Sequence, residues 1–585
     1  MYTPEMLESI RKVEATRAAR MGVEPRRMTA EEKDELLRAF HPDYRPEGFK
    51  EIKVGPNKGQ KAPVELTNLL HANSRLLSGA PDLNKIDYDV DVLVIGGGGA
   101  GACAAIEADE AGAKVMIVTK LRIGDANTMM AEGGIQAADK ENDSPVQHYL
   151  DAFGGGHFAA RPELLRRLVM EAPDAIQWLN DLGVMFDKDA DGRMITTHGG
   201  GTSRKRMHAC KDYSGAEIMR TLRDEVINRG IPVVEFTSAV ELIKDEKGQV
   251  AGAVLLNMET GDYMVARAKT VIIATGGFAA NKEMIAKYVA DSSTPGMVEP
   301  IWLRGPEKDG RTGDGINMAQ LVGAGLAGMQ TVAGNAPYLP DNPPIRQFSG
   351  PDYLKQGRCA LAQPWLWVNH EGKRFFNESR GSVFVDVYNA MTTAGGVMYT
   401  IFDQKKMDTM VNKGALLPFN AIVLAGVPLK ELPKTWEEGM KRGWAFKADT
   451  IEDLANQIGV PPKNLRATME RVNKFAAEKR DPDFGRKPEH LEAFDMNHGP
   501  YYALKGIRAH FLTLGGVTVT PRFEAKNLQG DVIPNLYVIG QDIGGLYDST
   551  YDLRCEGSAS SFAMTSGRLA AIHAIDAIKG KTSSM

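Results

Sequence analysis

The pattern of hydrophobic residues predicts buried parallel strands that alternate with helices. Asp91–Ile95 is a short apolar run, and a second run lies at Lys114–Val118. Short runs without polar alternation are typical of strands that are buried on both faces. Between them lie a glycine-rich segment and a helix of small residues, Ala102–Ala111, which Gly112 ends. The region therefore predicts a strand, a glycine turn, a helix and a second strand.

Two further apolar runs, Thr270–Ala274 and Asn535–Ile539, are each followed closely by glycine. They predict more strands of the same kind, and the last helix is predicted over Ser558–Ile578. Strands that alternate with helices indicate an α/β fold with a largely parallel sheet.

Residues 1–88 have a different character. Two short amphipathic helices are predicted at about 4–20 and 30–40, followed by an extended loop in the Pro-, Gly- and Lys-rich stretch His41–Pro63. Two interpretations remain open for this N-terminal extension: a solvated extension, or an arm that docks on a partner subunit.

Composition excludes several classes of protein. The chain has 585 residues, a formal net charge of -5 and 25% charged residues, so nothing favours nucleic acid or an anionic membrane as a partner.

Its four cysteines, Cys103, Cys210, Cys359 and Cys555, are far apart and form no CxxC. This argues against a disulfide framework, an iron–sulfur cluster or a c-type haem within the chain, and fits a cytoplasmic location. No HExxH or Cys/His cluster predicts a metal site. No secretory signal or membrane-spanning run is present in the sequence.

Residues 96–101 fit the GxGxxG pattern of dinucleotide-binding turns. Gly96 permits the tight turn, Gly98 lets the backbone approach a pyrophosphate, and Gly101 lets the helix pack closely on the sheet. The pyrophosphate would lie at the helix N-terminus, where N–H groups and the helix dipole favour negative charge. The next strand ends in Thr119-Lys120, where a simple NAD site has an acidic residue.

Six segments in the same order resemble the succinate dehydrogenase/fumarate reductase flavoprotein superfamily, and the chain looks more like its soluble fumarate-reductase-type members. The segments are residues 118–138, residues 194–216, Ala274–Gly277, Thr312–Gly315, Ile533–Gly540 and Gly557–Ser560.

The resemblance implies a Rossmann-like FAD-binding domain split by an inserted α+β capping domain. The FAD-binding domain would comprise residues 89–330 and 505–585, and the capping domain residues 331–504, after the extension at 1–88. Gly372–Glu378 resembles a family motif of the cap, a turn followed by a short strand.

FAD is the cofactor that the resemblance implies. Respiratory members attach it covalently through a histidine, where this chain has Asn127, so non-covalent FAD is expected. The implied cofactor-binding residues are Gly96, Gly98, Gly99, Ala100, Gly101, Thr119, Lys120, Asn127, Thr128, Gly133, Gly134, Ala274, Thr275, Gly276, Gly277, Asp314, Gly540, Gln541, Asp542, Ser558 and Ser560.

The resemblance also supplies the catalytic candidates. Arg380 follows the cap motif as the proton-donating arginine of fumarate reductases does, although at a shorter spacing, and Arg554 matches the substrate-binding arginine. Arg358 is a second arginine candidate of the cap, and Tyr547 and Tyr551 are alternative proton donors.

Two family histidines that bind a dicarboxylate are missing. Their expected positions fall near Thr331–Pro337 and in Phe511–Leu514. His510 is close to the second position but out of register. His208 is interpreted as a structural histidine or one close to the flavin, and not as a metal ligand. A site without these donors would leave dicarboxylate oxygens unpaired, which costs about 1–3 kcal/mol each. A bulkier or less charged enoate, or a cyclic enone, is therefore expected instead of fumarate.

The predicted function is hydride transfer between flavin N5 and a carbon–carbon double bond. The open alternatives are amine oxidation like that of L-aspartate oxidase and a non-catalytic FAD subunit of a redox complex. Electrons would come from a soluble donor or from a separate iron–sulfur or flavin subunit, because the sequence shows no second redox centre.

Overall fold

The protein is represented by a computed structural model that describes residues 2–23, 26–40, 46–53, 56–64, 66–67, 81–198, 202–211, 213–289, 299–300, 310–340, 350–419, 423–547, 550–551 and 555–581. The chain forms two compact units, Met1–Arg75 and Leu76–Met585.

The described strands are β1 (Phe49–Glu51), β2 (Lys61–Pro63), β3 (Tyr88–Ile95), β4 (Val115–Val118), β5 (Ile135–Gln136), β6 (Met207–His208), β7 (Val233–Val234), β8 (Thr237–Lys244), β9 (Val250–Asn257), β10 (Tyr263–Ile273), β11 (Glu299–Pro300), β12 (Leu326–Ala327), β13 (Val332–Tyr338), β14 (Leu366–Val368), β15 (Val397–Asp403), β16 (Ala445–Ala448), β17 (Tyr501–Thr513), β18 (Gly516–Val517), β19 (Glu524–Lys526) and β20 (Val532–Val538).

The described helices are α1 (Pro4–Ala15), α2 (Arg17–Arg20), α3 (Ala30–Phe40), α4 (Gly99–Glu110), α5 (Pro145–Gly155), α6 (Pro162–Asp181), α7 (Ser214–Asn228), α8 (Lys282–Tyr288), α9 (Asp314–Leu321), α10 (Asp352–Leu361), α11 (Phe384–Thr393), α12 (Gln404–Asn412), α13 (Leu432–Arg442), α14 (Ile451–Ile458), α15 (Pro462–Glu478) and α16 (Ser558–Ile578). Short 3-10 helices lie at Pro46–Gly48, Asn127–Met130, Glu378–Arg380, Pro488–His490 and Gly540–Asp542.

The N-terminal unit contains the predicted helices and one unexpected hairpin. No residue of α1, α2 or α3 is buried within this structure. Strands β1 and β2 pair antiparallel inside the stretch that was expected to be an extended loop.

Five neighbouring strands form the parallel centre of the larger sheet. They lie in the order β20, β10, β3, β4 and β7, and each adjacent pair is parallel. Ile95 pairs with both Ile273 and Val118, so the carboxyl ends of three of these strands are in register. The glycine-rich segments that follow them therefore meet at one edge of the sheet, where α/β proteins bind nucleotides.

Helices α4 and α16 pack against each other at very short range. A Cβ at Gly567 of α16 would lie 2.3 Å from the carbonyl oxygen of Ala100, and one at Gly101 of α4 would lie 2.0 Å from that of Gly96. Only glycine fits at these two positions, because the neighbouring atoms belong to the backbone.

The second sheet is built around the long strand β17. Strands β11, β13, β15 and β16 pair with it, and β14 pairs with β15. Aromatic and aliphatic side chains of α10 to α15 bury the faces of this sheet. The expected boundary between residues 504 and 505 falls inside β17.

One local expectation for this region was wrong. The turn at Gly372 is followed by irregular chain and a 3-10 helix, without the expected strand. Arg374 lies in this segment and forms buried ion pairs with Glu378 and Asp481, at 2.5 and 2.7 Å. The segment is therefore fixed by side-chain ion pairs and not by backbone hydrogen bonds to a neighbouring strand.

None of the described helices contains a stretch that is long and apolar enough to cross a membrane.

Candidate active site

A cleft lies at the carboxyl edge of the parallel strands. Gly96 follows β3 with a φ of +125°, and a Cβ at this position would lie 2.1 Å from the carbonyl oxygen of Ala274. Gly98 caps α4 without a side-chain hydrogen bond to the first turn. The Gly99 N–H donates to Thr128 Oγ1 at 3.1 Å, and the positive end of the helix dipole faces the cleft, where it can attract an anionic ligand.

The end of β4 has Lys120 where a simple NAD site has an acidic residue, and Asp314 supplies a carboxylate next to it. Lys120 Nζ donates to Thr312 Oγ1 at 2.8 Å and to Asp314 Oδ2 at 3.0 Å, and both charged residues line the cleft. Asp314 begins α9, so the TGDG segment brings a carboxylate into the nucleotide cleft from a different element.

Asp542 organises the loop after β10. Its two carboxylate oxygens accept hydrogen bonds from the backbone N–H groups of Thr275, Gly276 and Gly277 and from the Thr275 hydroxyl. The Asp542 side chain is fully buried, and burial raises its pKa to about 6 although these hydrogen bonds favour the charged form. Asp542 thus positions the wall of the cleft without lining it.

Arg311 is a residue of the cleft that the sequence interpretation missed. It is 2% exposed, and its Nη1 donates to Asn127 Oδ1 at 2.9 Å and to the Phe511 carbonyl oxygen at 2.5 Å. Asn127 Nδ2 in turn donates to the Gly276 carbonyl oxygen at 3.3 Å. The only signal in the sequence was a basic residue directly before the TGDG segment.

A larger cavity of about 430 Å³ adjoins this cleft. The two spaces share four lining residues, Asn127, Thr128, Gln541 and Ala563, so they lie next to each other. The remaining residues that line the larger cavity, most of them apolar, are Met130, Ala131, Glu132, Gly133, Gly134, Ala333, Gly334, Phe384, Val385, Phe511, Leu512, Tyr551, Glu556, Gly557, Ala559 and Ser560.

The N-terminus of α16 forms one wall of the larger cavity. Its cap residue, Gly557, has a φ of +83° and carries no side chain that could cap the first turn. The N–H of Ala559 lies 3.5 Å from Tyr551 Oη, and Ser560 lines the cavity. This end of the helix can stabilise negative charge on a bound molecule.

Most of the predicted cofactor residues come together in these two spaces. The first is lined by Gly96, Gly98, Gly99, Ala100, Thr119, Lys120, Asn127, Thr128, Ala274, Thr275, Gly276, Asp314, Gly540 and Gln541. Gly133, Gly134 and Ser560 line the second. Four others lie behind the walls: Gly101, Gly277, Asp542 and Ser558.

The predicted catalytic residues are more scattered. Arg554 lies outside the described residues. Arg380 lines neither space; its side chain is 51% exposed and forms an ion pair with Asp386. Arg358 is fully buried next to the cavity-lining Phe384. Tyr551 lines the larger cavity, and Tyr547 lies behind it with the two ring centres 5.0 Å apart.

His208 and His510 are both buried, and the side chain of each makes hydrogen bonds within the protein. His208 Nε2 lies 3.1 Å from Asp139 Oδ2, and its Nδ1 lies 3.2 Å from the Arg206 carbonyl oxygen. His510 Nε2 lies 2.9 Å from the Ala279 carbonyl oxygen. Within the described parts of the chain, no three His, Cys, Asp or Glu side chains are grouped to hold a metal ion.

The shape of the cleft fits FAD. The glycine turn leaves no room for side chains, and the N-terminus of α4 suits a pyrophosphate. The adjoining larger cavity leaves space for a ring system beside a substrate.

Comparison with known proteins agrees with this interpretation. Residues 91–557 match the family described as FAD binding domain. The chain is 32% identical over 490 residues to a fumarate reductase (cytochrome) of Shewanella frigidimarina, covering 82% of this chain and 76% of that protein. It is 27% identical to a vinyl phenol reductase of Lactiplantibacillus plantarum, covering 83% and 96%. The fold matches the open conformation of a flavocytochrome c3 fumarate reductase with a TM-score of 0.60 and 26% identity, covering 86% of this chain and 83% of that one.

Proposed function

This chain belongs to the FAD-binding family of the fumarate reductase and succinate dehydrogenase flavoproteins, and we propose that it reduces the carbon–carbon double bond of a bulky enoate or enone. FAD is its cofactor, and it is an oxidoreductase of the group that acts on carbon–carbon bonds. Relatives that bear the names fumarate reductase, vinyl phenol reductase and urocanate reductase differ in substrate, so family membership alone leaves the substrate open.

The lining of the larger cavity carries the proposal for a bulky substrate. Phe511 and Leu512 line it where the expected histidine is missing, and Ala333 and Gly334 line it near the position of the other. Phe384 and Tyr551 add aromatic surface. Such a cavity favours a ring-bearing substrate over a small dicarboxylate, because apolar walls leave carboxylate oxygens unpaired.

When bound and reduced by the electron donor, FAD would supply the hydride that is added to the double bond. The positive end of the α16 dipole stabilises negative charge at this end of the cavity. The amide of Asn127, bonded to Arg311 and Gly276, holds the junction between cleft and cavity. An amide nitrogen is a poor nucleophile, so we propose that FAD is bound without a covalent link.

We propose Tyr551 as the proton donor to the reduced double bond. Its ring lines the cavity, and burial raises the pKa of Tyr551 well above its usual value, so the phenol stays protonated at neutral pH. Arg380 would have to leave its ion pair with Asp386 to reach the cavity. Arg554 is kept as a proposed substrate-binding residue, because it precedes the cavity-lining Glu556 by two positions.

The test is anaerobic reduction of the purified holoenzyme with dithionite, followed by a stopped-flow screen of enoates and enones as flavin oxidants. Aromatic and cyclic acceptors should reoxidise the flavin faster than fumarate. Tyr551→Phe should slow this step about 10²- to 10⁴-fold, the usual contribution of a general acid, with an unchanged flavin spectrum. Tyr547→Phe is the matched control, because Tyr547 packs against Tyr551 and is more deeply buried, but does not line the cavity.

Three results would contradict the proposal. A full rate in Tyr551→Phe would exclude Tyr551 as the donor. Peroxide release with amino acids under oxygen would favour amine oxidation. A flavin that no acceptor reoxidises would favour a non-catalytic subunit.

The electron donor is proposed to be a separate iron–sulfur or flavin protein that binds the N-terminal unit. Helix α1 exposes an apolar stripe, in which Met6 is 54%, Ile10 40% and Val13 48% exposed. Amphipathic helices with an uncovered apolar face commonly bind a partner.

The remaining organisation is also a proposal. The strands of the larger sheet come from residues 88–273 and 524–538, and those of the sheet around β17 come from residues 299–513. This distribution supports an FAD-binding domain that is interrupted by a capping domain. A cytoplasmic location is supported by the four cysteines, all of which are buried thiols.

A further inference from the structure

Arg358 is a fully buried cation whose guanidinium makes no hydrogen bond. It lies in α10 with an exposed fraction of 0%. None of its three side-chain nitrogens has a hydrogen-bond partner. Burial lowers the pKa of Arg358 to about 10, so the group stays charged at neutral pH. Buried charges in proteins are normally paired, and this exception therefore requires an explanation.

Three aromatic rings surround the guanidinium. Its central carbon lies 4.9 Å from the ring centre of Tyr338, 4.6 Å from that of Phe384 and 4.8 Å from that of Phe419. Cation–π attraction of this kind offsets part of the cost of burial. It cannot satisfy N–H groups as carboxylate oxygens do, because the rings offer no lone pairs in the guanidinium plane.

Phe384 connects this aromatic cage to the substrate cavity. The same ring that covers Arg358 lines the cavity, together with the next residue, Val385. Tyr338 belongs to β13, whose residues Ala333 and Gly334 also line the cavity. The unpaired cation is thus separated from the proposed substrate by one aromatic side chain.

We infer that Arg358 binds a carboxylate of the substrate after the side chain of Phe384 moves aside. This inference rests on the proposed function and narrows the substrate class to an aryl- or ring-substituted monocarboxylic enoate. The apolar cavity would take the ring, and the planar guanidinium would take the carboxylate in two parallel hydrogen bonds. Its charge would also stabilise the negative charge that develops on the enoate during hydride addition.

The test is a binding experiment that does not depend on turnover. The oxidised holoenzyme is titrated with a saturated 3-arylpropanoate and with its primary amide, which differ in charge but not in shape. Binding is followed by the difference spectrum of the flavin. The wild-type protein should bind the carboxylate at least tenfold more tightly than the amide. Equal affinities would overturn the inference whatever the variants show.

Variants then assign the preference to Arg358. Arg358→Met should weaken carboxylate binding about 10- to 100-fold and amide binding less than threefold, since only the charged ligand loses a charge-assisted pair. Arg358→Lys should keep part of the preference. An unchanged ratio of the two affinities in Arg358→Met would overturn the inference.

Arg508→Met is the matched control. Arg508 is also fully buried, but it donates to Thr392 Oγ1 at 2.9 Å and lines neither space. Its replacement should change both affinities equally. A selective loss of carboxylate binding in this variant would assign the preference to general positive charge and so overturn the role of Arg358.

The movement of Phe384 has its own readout. Phe384→Ala should speed association of the carboxylate several-fold, measured by stopped-flow, because the covering ring is gone. An unchanged association rate would remove Phe384 from the inference. Failure of the reduced holoenzyme to transfer hydride to any enoate or enone would instead contradict the proposed function, so the two failures are distinguishable.

Discussion

We expect the change Asp542→Asn to weaken FAD binding while it leaves the stability of the apoprotein nearly unchanged. In the native protein one buried carboxylate accepts hydrogen bonds from three successive N–H groups, those of Thr275, Gly276 and Gly277. An amide offers one acceptor oxygen and replaces the other with a donor. At least one of the three N–H groups therefore loses its acceptor and faces an NH₂ group.

The magnitude follows from these contacts. A buried N–H without an acceptor costs about 1–3 kcal/mol. Thr275 and Gly276 line the cofactor cleft, and we expect the loop to shift there. If the cost falls on cofactor binding, the Kd for FAD rises about 5- to 150-fold.

The stability of the apoprotein should change much less. The amide also removes a buried charge whose pKa is raised from 3.8 to about 6, a shift that corresponds to about 3 kcal/mol at pH 8. This gain in the free energy of unfolding opposes the loss that the unpaired N–H group causes in the apoprotein. We therefore expect weak FAD binding in a protein that unfolds at nearly the native denaturant concentration.

The assay is titration of the apoprotein with FAD by quenching of flavin fluorescence, with urea unfolding measured in parallel. Asp403→Asn is the control: this carboxylate is 2% exposed and pairs with Lys406 at 3.1 Å, but it lines neither space. The control should lose stability and keep its FAD affinity. A Kd for Asp542→Asn within twofold of the native value would refute the reasoning.

Three further predictions follow from the same structure. The folded pKa of Asp542, about 6, lies above its value of 3.8 in the unfolded chain, so its stabilising contribution is complete below pH 3.8 and is lost as the pH rises through 6. Between pH 4 and pH 7 the unfolding free energy of the native protein should fall by about 2 kcal/mol relative to that of Asp542→Asn, measured by urea unfolding. A difference between the two proteins that does not change with pH would contradict this. Arg311→Gln should weaken FAD binding about tenfold and lower the flavin reduction potential, measured by dye equilibration, because a buried cation leaves the cleft; an unchanged potential would exclude an electrostatic role. Deletion of residues 1–85 should abolish co-purification of the electron donor while FAD stays bound, and survival of that complex would exclude the N-terminal unit as its docking site.

The cofactor cleft could be predicted from the sequence because its requirements are local. Gly96 and Gly101 must be glycine since backbone atoms lie about 2 Å from any Cβ, and each stands next to the strand or helix that it serves. Lys120 was recognised as a departure from the NAD pattern, but its partner Asp314 lies on another element. The pairing required the fold to bring together residues 194 positions apart.

The chemistry of the cap could not be predicted in this way. Arg380 was selected by its distance from a motif, and the structure ties it to Asp386 at the surface. Arg374, in the same motif, is buried in ion pairs that displace the expected strand. Sequence spacing counts residues along the chain, and it does not show which of several nearby arginines faces a cavity.

We propose that substrate choice and pyrophosphate binding depend on different sets of residues in this chain. The cleft uses backbone N–H groups, glycines and a few polar side chains, all fixed by the parallel sheet. The cavity uses apolar side chains from elements far apart, such as Phe384 and Phe511, which in the sequence look like any core residue. We expect exchange of those side chains to alter the substrate more than it weakens binding of the FAD pyrophosphate, because they do not line the first cleft. Such an arrangement would let proteins as similar as those named fumarate reductase and vinyl phenol reductase differ in substrate. In this chain the proposal for the substrate therefore depends on the buried charge of Arg358 and not on a sequence motif.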